Sequence, residues 1–342
     1  MGVAEAKILV RATNWLGDAV MSLPALRALR VRFGGAHMTV LARGWVAELY
    51  RRERCVDEVI TAPENWRGRI RLGAMLRRRG FDCAVVFPNS FESAVVPWLA
   101  RIPRRIGYER DRRGMLLTDA VARPQAGEIP SHERFYYLEL LRRAGVIDCL
   151  PAEAPVLLDR AAEARTRGRE LFAAMRFAVP VVGISPGAQN SRAKQWLPER
   201  FVDCALRVAA VLAGGVVLFG SARERPLCQT MAEAVRREGF PVLNLAGETT
   251  LGKFVELAAA CRVFLTNDSG AMHVASALAV PTVAVFGPTE YFATSPAGPL
   301  SAMVREAVDC SPCMLRDCPI DHRCMTGISA ERVAETALEL LK

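Results

Sequence analysis

No apolar run in these 342 residues reaches the ~18 needed to cross a bilayer, so no transmembrane helix is expected. The start, "MGVAEAKILVRATNW", holds an apolar run too short for a secretory signal, and no cleavage site follows it. Met1-Gly2 fails as a myristoylation signal, because Ala6 stands where Ser or Thr is needed. A cytoplasmic protein is the expectation. The GxxxxGK[ST] spacing of a P-loop is missing. So are Asp-x-Asp and His-x-His pairs, so no metal is expected in the reaction. Few aromatics interleave with the arginines and no nucleic-acid motif is present, which argues against a nucleic-acid partner. No repeat of 20–50 residues is visible.

What is there is a globular composition, 51% hydrophobic and 24% charged, long enough for two domains. The net charge of +9 is uneven. Residues 1–150 hold 25 Lys and Arg against 16 Asp and Glu, whereas residues 151–342 hold 20 of each. The basic half is either a solvated surface or a surface that meets something anionic, such as a phosphorylated lipid or a membrane face.

The first half alternates strand-like and helix-like segments: "KILVRA", "GDAVMSLPALRALRVRF", "HMTVLAR", "VDEVITA", "FDCAVVFPNS", "RRIGYE". That alternation predicts a parallel sheet covered by helices. Residues 111–134 read as a long irregular surface loop, closed by a helix in "ERFYYLELLRRAG". A second series begins at "VVGISPGA" and runs through "GVVLFGS", "PVLNLAG", "VFLTNDS" and "TVAVFGPT". The expected organisation is two doubly wound α/β domains facing across a cleft, residues 1–165 and 166–342, with an amphipathic C-terminal helix.

Ligands of such sheets bind at the carboxyl ends of the strands. After the first strand, Gly17 permits a tight turn and Asp18 stands at a helix start, either as an N-cap or as a carboxylate aimed at a ligand. After "VVGIS", Ser185 leads into Pro186-Gly187-Ala188, a small turn whose N–H groups can face an anion, with Arg192 and Lys194 close by. Glu224, after "VVLFGS", is either a helix N-terminal charge or a ribose-binding carboxylate. The strongest signal is "FLTNDSGAMHVASAL", residues 264–278. Asp268, Ser269 and Gly270 open a helix whose free N–H groups favour phosphate. His273 lies four residues after Ser269 and leans back toward the same turn, unless it is simply a core histidine. The reading is a diphosphate site.

Three separated stretches, "ILVRATNWLGDAVMSLPALRALR", "SPGAQNSRAKQWLPERF" and "TNDSGAMHVASALAVPTVAVFGPT", together resemble glycosyltransferase family 9 over nearly the whole chain. The resemblance implies a GT-B fold of two Rossmann-like domains, the first binding acceptor and the second the nucleotide sugar. It implies metal-independent, inverting transfer of L-glycero-D-manno-heptose from ADP-heptose, with no cofactor. The implied acceptor is heptosyl-Kdo2-lipid A at the inner face of the inner membrane, met peripherally through the basic half. By motif, Asp18 corresponds to the base and Lys194 to the diphosphate lysine. Asp268, Ser269, Gly270 and His273 fall in the donor turn, Ser185 and Gly187 in the preceding turn, and Glu224 at the ribose. The lead-in "AQNSRA" departs from the family pattern and leaves Gln189 and Arg192 unassigned. A family 9 enzyme acting on Kdo2-lipid A and a non-catalytic two-domain binding protein are the alternatives.

Six of the ten cysteines are scattered singly, which suits a reducing compartment. The other four, Cys310, Cys313, Cys318 and Cys324, form C-x2-C-x4-C-x5-C with His322 among them. They make either a structural zinc or iron–sulfur cluster or a set of reduced thiols.

Overall fold

The computed structural model describes residues 6–189 and 191–342; Met1-Gly2 and Asn190 lie outside the described residues. The chain divides into two compact units between Asp159 and Arg160. The boundary expected at 165/166 falls inside the helix Ala161–Ala174. That helix packs within the second unit: a Cβ on Gly168 would lie 2.0 Å from the carbonyl oxygen of Glu256.

The first unit holds six parallel strands. They are β1 (Lys7–Arg11), β2 (His37–Ala42), β3 (Glu58–Thr61), β4 (Cys83–Val86), β5 (Arg104–Tyr108) and β6 (Asp119–Val121), in the order β3-β2-β1-β4-β5-β6. The second unit repeats the plan with β7 (Val181–Ser185), β8 (Gly215–Leu218), β9 (Val242–Asn244), β10 (Val263–Asn267), β11 (Thr282–Phe286) and β12 (Ser301–Arg305), ordered β12-β11-β10-β7-β8-β9. β1, β4, β7, β10 and β11 are Val-, Ile- and Leu-rich runs buried almost throughout, as parallel strands covered on both faces must be.

Two expectations change. Residues 111–134 are not wholly irregular: they contain a 3-10 turn, Arg113–Leu116, and the edge strand β6. β6 reads Asp-Ala-Val, with one β-branched residue and no apolar run, so it left no pattern in the sequence. Arg113 is completely buried there and donates to the Tyr108 carbonyl oxygen at 2.7 Å and to Ser93 Oγ at 3.0 Å. The segment 17–33, expected as one helix, is two, Leu16–Met21 and Leu23–Arg32. Pro24 lacks the N–H that a continuous ladder would need, and Ser22 Oγ caps the break by donating to the Ala19 carbonyl oxygen at 2.8 Å.

Among the described residues no helix is long and apolar enough to cross a membrane.

Candidate active site

In each sheet the order in which successive strands are added reverses at one pair of parallel neighbours, β1/β4 in the first unit and β7/β10 in the second. The crevice beyond such a pair is where open α/β sheets take ligands. In the second unit Ser185, the last residue of β7, pairs with Thr266 near the end of β10. The Pro186-Gly187-Ala188 turn and the Asp268-Ser269-Gly270 turn therefore emerge side by side.

The buried Asn267 side chain ties these two turns together. Its Nδ2 donates to the Pro186 carbonyl oxygen at 2.7 Å, and its Oδ1 accepts from the Trp196 N–H at 2.9 Å. The intervening segment is thereby pinned at both ends, and Lys194 within it donates to Asp268 Oδ2 at 2.8 Å. Thr289 Oγ1 donates to the same oxygen at 2.8 Å. Asp268 is 6% exposed. Its charge is held by one ammonium and one hydroxyl beside the first residues of the helix Gly270–Ala277, whose N-cap is Ser269. Ser269 Oγ makes no cap bond and is instead hydrogen-bonded to Thr266 Oγ1 at 3.2 Å. The first N–H groups of that helix are thus left for an outside anion. His273, one turn on, is buried.

Glu224 joins this group from β8. It completes a capping box with Ser221, its Oε2 accepting from the Ser221 N–H at 2.6 Å and from Ser221 Oγ at 2.8 Å. Its other oxygen lies over Gly187, where a Cβ would come within 1.6 Å of Oε1. Glu224 is thus a helix-start charge whose second oxygen packs against the Pro186-Gly187-Ala188 turn. Gly187→Ala should evict that carboxylate and break the cap. We expect about 1 kcal/mol lower stability by denaturant titration. Arg192 turns away, pairing with the exposed Asp317 at 2.6 Å, and Gln189 is exposed.

In the first unit Asp18 is the third residue of the helix Leu16–Met21. The N-cap is Trp15, so capping does not account for Asp18. Burial raises its carboxyl from the ordinary 3.8 to about 6. Glu133, the first residue of the helix Glu133–Arg143, is also raised, by burial and then by the charge of Asp18. Tyr137, one turn further on, is pushed well above 10, mainly by burial and then by both carboxylates. Two carboxyls and a phenol therefore share one poorly solvated site.

Beside it lie basic groups. Arg11, ending β1, is 5% exposed and donates to Asn14 Oδ1 at 2.7 Å. Burial, then Arg43, lowers it to about 10. Arg43 and Arg69 both bind Glu92, at 2.8 and 2.6 Å.

Residues 69–323 match the family Glycosyltransferase family 9 (heptosyltransferase). The chain belongs to glycosyltransferase family 9. It is 33% identical over 346 residues to lipopolysaccharide heptosyltransferase 2 of Escherichia coli strain K12, covering 98% of each chain. It is 32% identical to lipooligosaccharide heptosyltransferase 2 of Haemophilus influenzae, covering 87% of this chain and 88% of that one. The solved E. coli ADP-heptose LPS heptosyltransferase II matches with a TM-score of 0.83 at 32% identity, over 98% of each chain. The fold is accordingly GT-B, and this family 9 member is a glycosyltransferase.

Several residues of the two sites were not singled out in the sequence. Asn267 and Thr289 sit inside quoted motifs, but their work is done across chain segments. Arg11 carried a usable signal, a charge at the end of an otherwise apolar strand. Glu133 and Tyr137 carried none, since only packing brings their helix to Asp18.

Proposed function

We propose that this family 9 enzyme transfers L-glycero-D-manno-heptose from ADP-heptose to the heptose of heptosyl-Kdo2-lipid A, with inversion at the anomeric carbon. The observation that carries the reading is Asp18, a half-buried carboxyl raised to about 6 beyond the first strand of the first unit. A sugar hydroxyl is a poor nucleophile near neutral pH and needs a base in the transition state. The acceptor hydroxyl attacks the anomeric carbon, the bond to the diphosphate breaks, and Asp18 takes the hydroxyl proton. The negative charge gathering on the departing ADP falls to Lys194 and the free N–H groups of the helix Gly270–Ala277. Asp268 holds Lys194 in place, Ser185 and Gly187 shape the preceding turn, Glu224 takes the ribose, and His273 backs the donor turn. Arg43 and Arg69 share the single carboxylate of Glu92, and the buried Arg11 pairs with no carboxylate among the described residues, which suits a phosphorylated acceptor. The basic first half would rest on the anionic inner face of the inner membrane, keeping the enzyme cytoplasmic and peripheral.

The test is incubation of purified protein with ADP-heptose and either Kdo2-lipid A or its monoheptosyl form, following ADP release. Rapid turnover of the monoheptosyl acceptor alone is expected. Preference for Kdo2-lipid A would assign the first heptosyl transfer instead. Charge on the leaving group is met by Lys194 and backbone dipoles, so added Mg2+ or Mn2+ should not change the initial rate. A rate that depends on either ion would overturn the metal-free reading.

A further inference from the structure

The outer face of one helix in the first unit has no part in the site described above. The helix is Trp66–Arg79, "WRGRIRLGAMLRRR". Asn65 Oδ1 caps its start by accepting from the Gly68 N–H at 2.7 Å, and Gly80 closes it in the left-handed conformation. Its inner face is Leu72, Gly73 and Leu76, packed on the helix Phe91–Leu99: a Cβ on Gly73 would lie 2.6 Å from Leu99 Cβ. Two of its six arginines flank that face and are neutralised, Arg69 by Glu92 at 2.6 Å and Arg79 by Glu58 at 2.8 Å.

The other half of the helix is different. At about 100° per residue, Trp66, Ile70 and Ala74 form one row along it, and Arg67, Arg71 and Arg78 form the next. Arg77 and Met75 border the two rows, and all eight residues are exposed. Trp66, Ile70 and Met75 leave 53%, 47% and 44% of their surface in water, although the inner face of the same helix had room only for smaller groups such as Leu and Gly. Among the described residues the side chains of Arg67, Arg71, Arg77 and Arg78 have no carboxylate partner, and the helix itself holds no Asp or Glu. It carries six of the 25 basic residues of the first half.

Unpaired guanidinium groups beside exposed apolar groups are what a helix lying on an anionic bilayer needs. A second copy of this chain would bring the same four charges and be repelled. A polynucleotide would meet the arginines and leave Ile70 and Met75 in water. We propose that the outer face of the helix Trp66–Arg79 docks on an anionic lipid surface, its arginines on lipid phosphates and Trp66 and Ile70 in the headgroup boundary. The proposal rests on the membrane contact proposed above for the basic half, and not on which sugar is transferred. The helix starts beyond β3, at the carboxyl edge of the first sheet, where Asp18 and Arg43 also stand. Docking through it brings that edge to the lipid surface, where a lipid-borne acceptor is held.

The experiment is sedimentation of the full chain with vesicles of phosphatidylglycerol and phosphatidylethanolamine, against vesicles of phosphatidylcholine alone. Binding to the anionic vesicles is expected, with loss in 1 M salt, where screening shortens to about 3 Å. Arg67→Gln/Arg71→Gln should weaken that binding by roughly 30-fold, and Ile70→Ser by about tenfold. Both variants should keep the parent's far-ultraviolet dichroism, its ADP affinity and its turnover of a deacylated, water-soluble acceptor. Turnover of the same acceptor carried in anionic vesicles should fall. A parent chain that ignores anionic vesicles overturns the membrane contact and this docking face with it. Variants that bind vesicles as the parent does overturn the docking face alone and leave the contact to another surface. Loss of turnover on the deacylated acceptor would make these arginines acceptor ligands, and binding to duplex RNA in preference to vesicles would make the partner a polynucleotide; either result overturns the proposal.

Discussion

Asp18→Asn is expected to lower turnover by roughly 10²–10⁴-fold, the contribution of a positioned general base, while ADP-sugar binding stays near normal. Burial adds a second, opposite effect on stability. A carboxyl raised from 3.8 to about 6 is one whose ionised form the fold disfavours. The penalty is absent below pH ~3.8, grows through the window up to ~6, and is fully present above it. The displacement corresponds to at most about 3 kcal/mol, and less in practice because Asp18 is only partly enclosed. The variant should therefore melt at the same temperature or higher at pH 8, with the gain fading by pH 4. In the parent enzyme kcat/KM should rise with pH through a midpoint near 6 and then level, as the base loses its proton. Calorimetry of both proteins across this range, alongside initial rates, separates the two effects. Retention of most of the turnover by Asp18→Asn would move the base elsewhere in the first unit.

Lys194→Ala is expected to weaken ADP binding by roughly 10–100-fold, since a charge-assisted phosphate contact contributes about 1.5–3 kcal/mol. Lys194 is one of only four lysines in the chain, with Lys7, Lys253 and Lys342. Its removal also leaves the buried Asp268 with Thr289 as its remaining hydrogen-bond donor among the described side chains. The melting temperature should fall, but modestly, because the Lys194 side chain is 28% exposed and an ion pair so placed contributes on the order of 1 kcal/mol. Adding Asp268→Asn to Lys194→Ala should recover the melting temperature and not the ADP affinity. That split distinguishes a lysine that binds diphosphate from one that only neutralises Asp268. Unchanged ADP affinity in the single variant would show that Lys194 does not meet the ligand.

By itself the sequence determined the two α/β series and the strand-end turns that matter. Buried parallel strands are written as continuous apolar runs, and the turns after them as Gly, Asp, Ser and Pro, so Asp18, Gly187 and Asp268 were legible where they stand. The edge strands β6 and β12 were not, because DAV and SAMVR lack the adjacent Val, Ile or Leu residues that mark the edge strands β3 and β9. Tertiary structure alone decided which turns meet. The pairing of β7 with β10 sets Ser185 beside Thr266 across eighty residues of chain, and only then can Asn267 reach both Pro186 and Trp196. It alone also decided that Asp18 is a perturbed acid and not a cap, for the rise to about 6 comes from desolvation, and desolvation is a property of what the rest of the chain packs around a carboxyl.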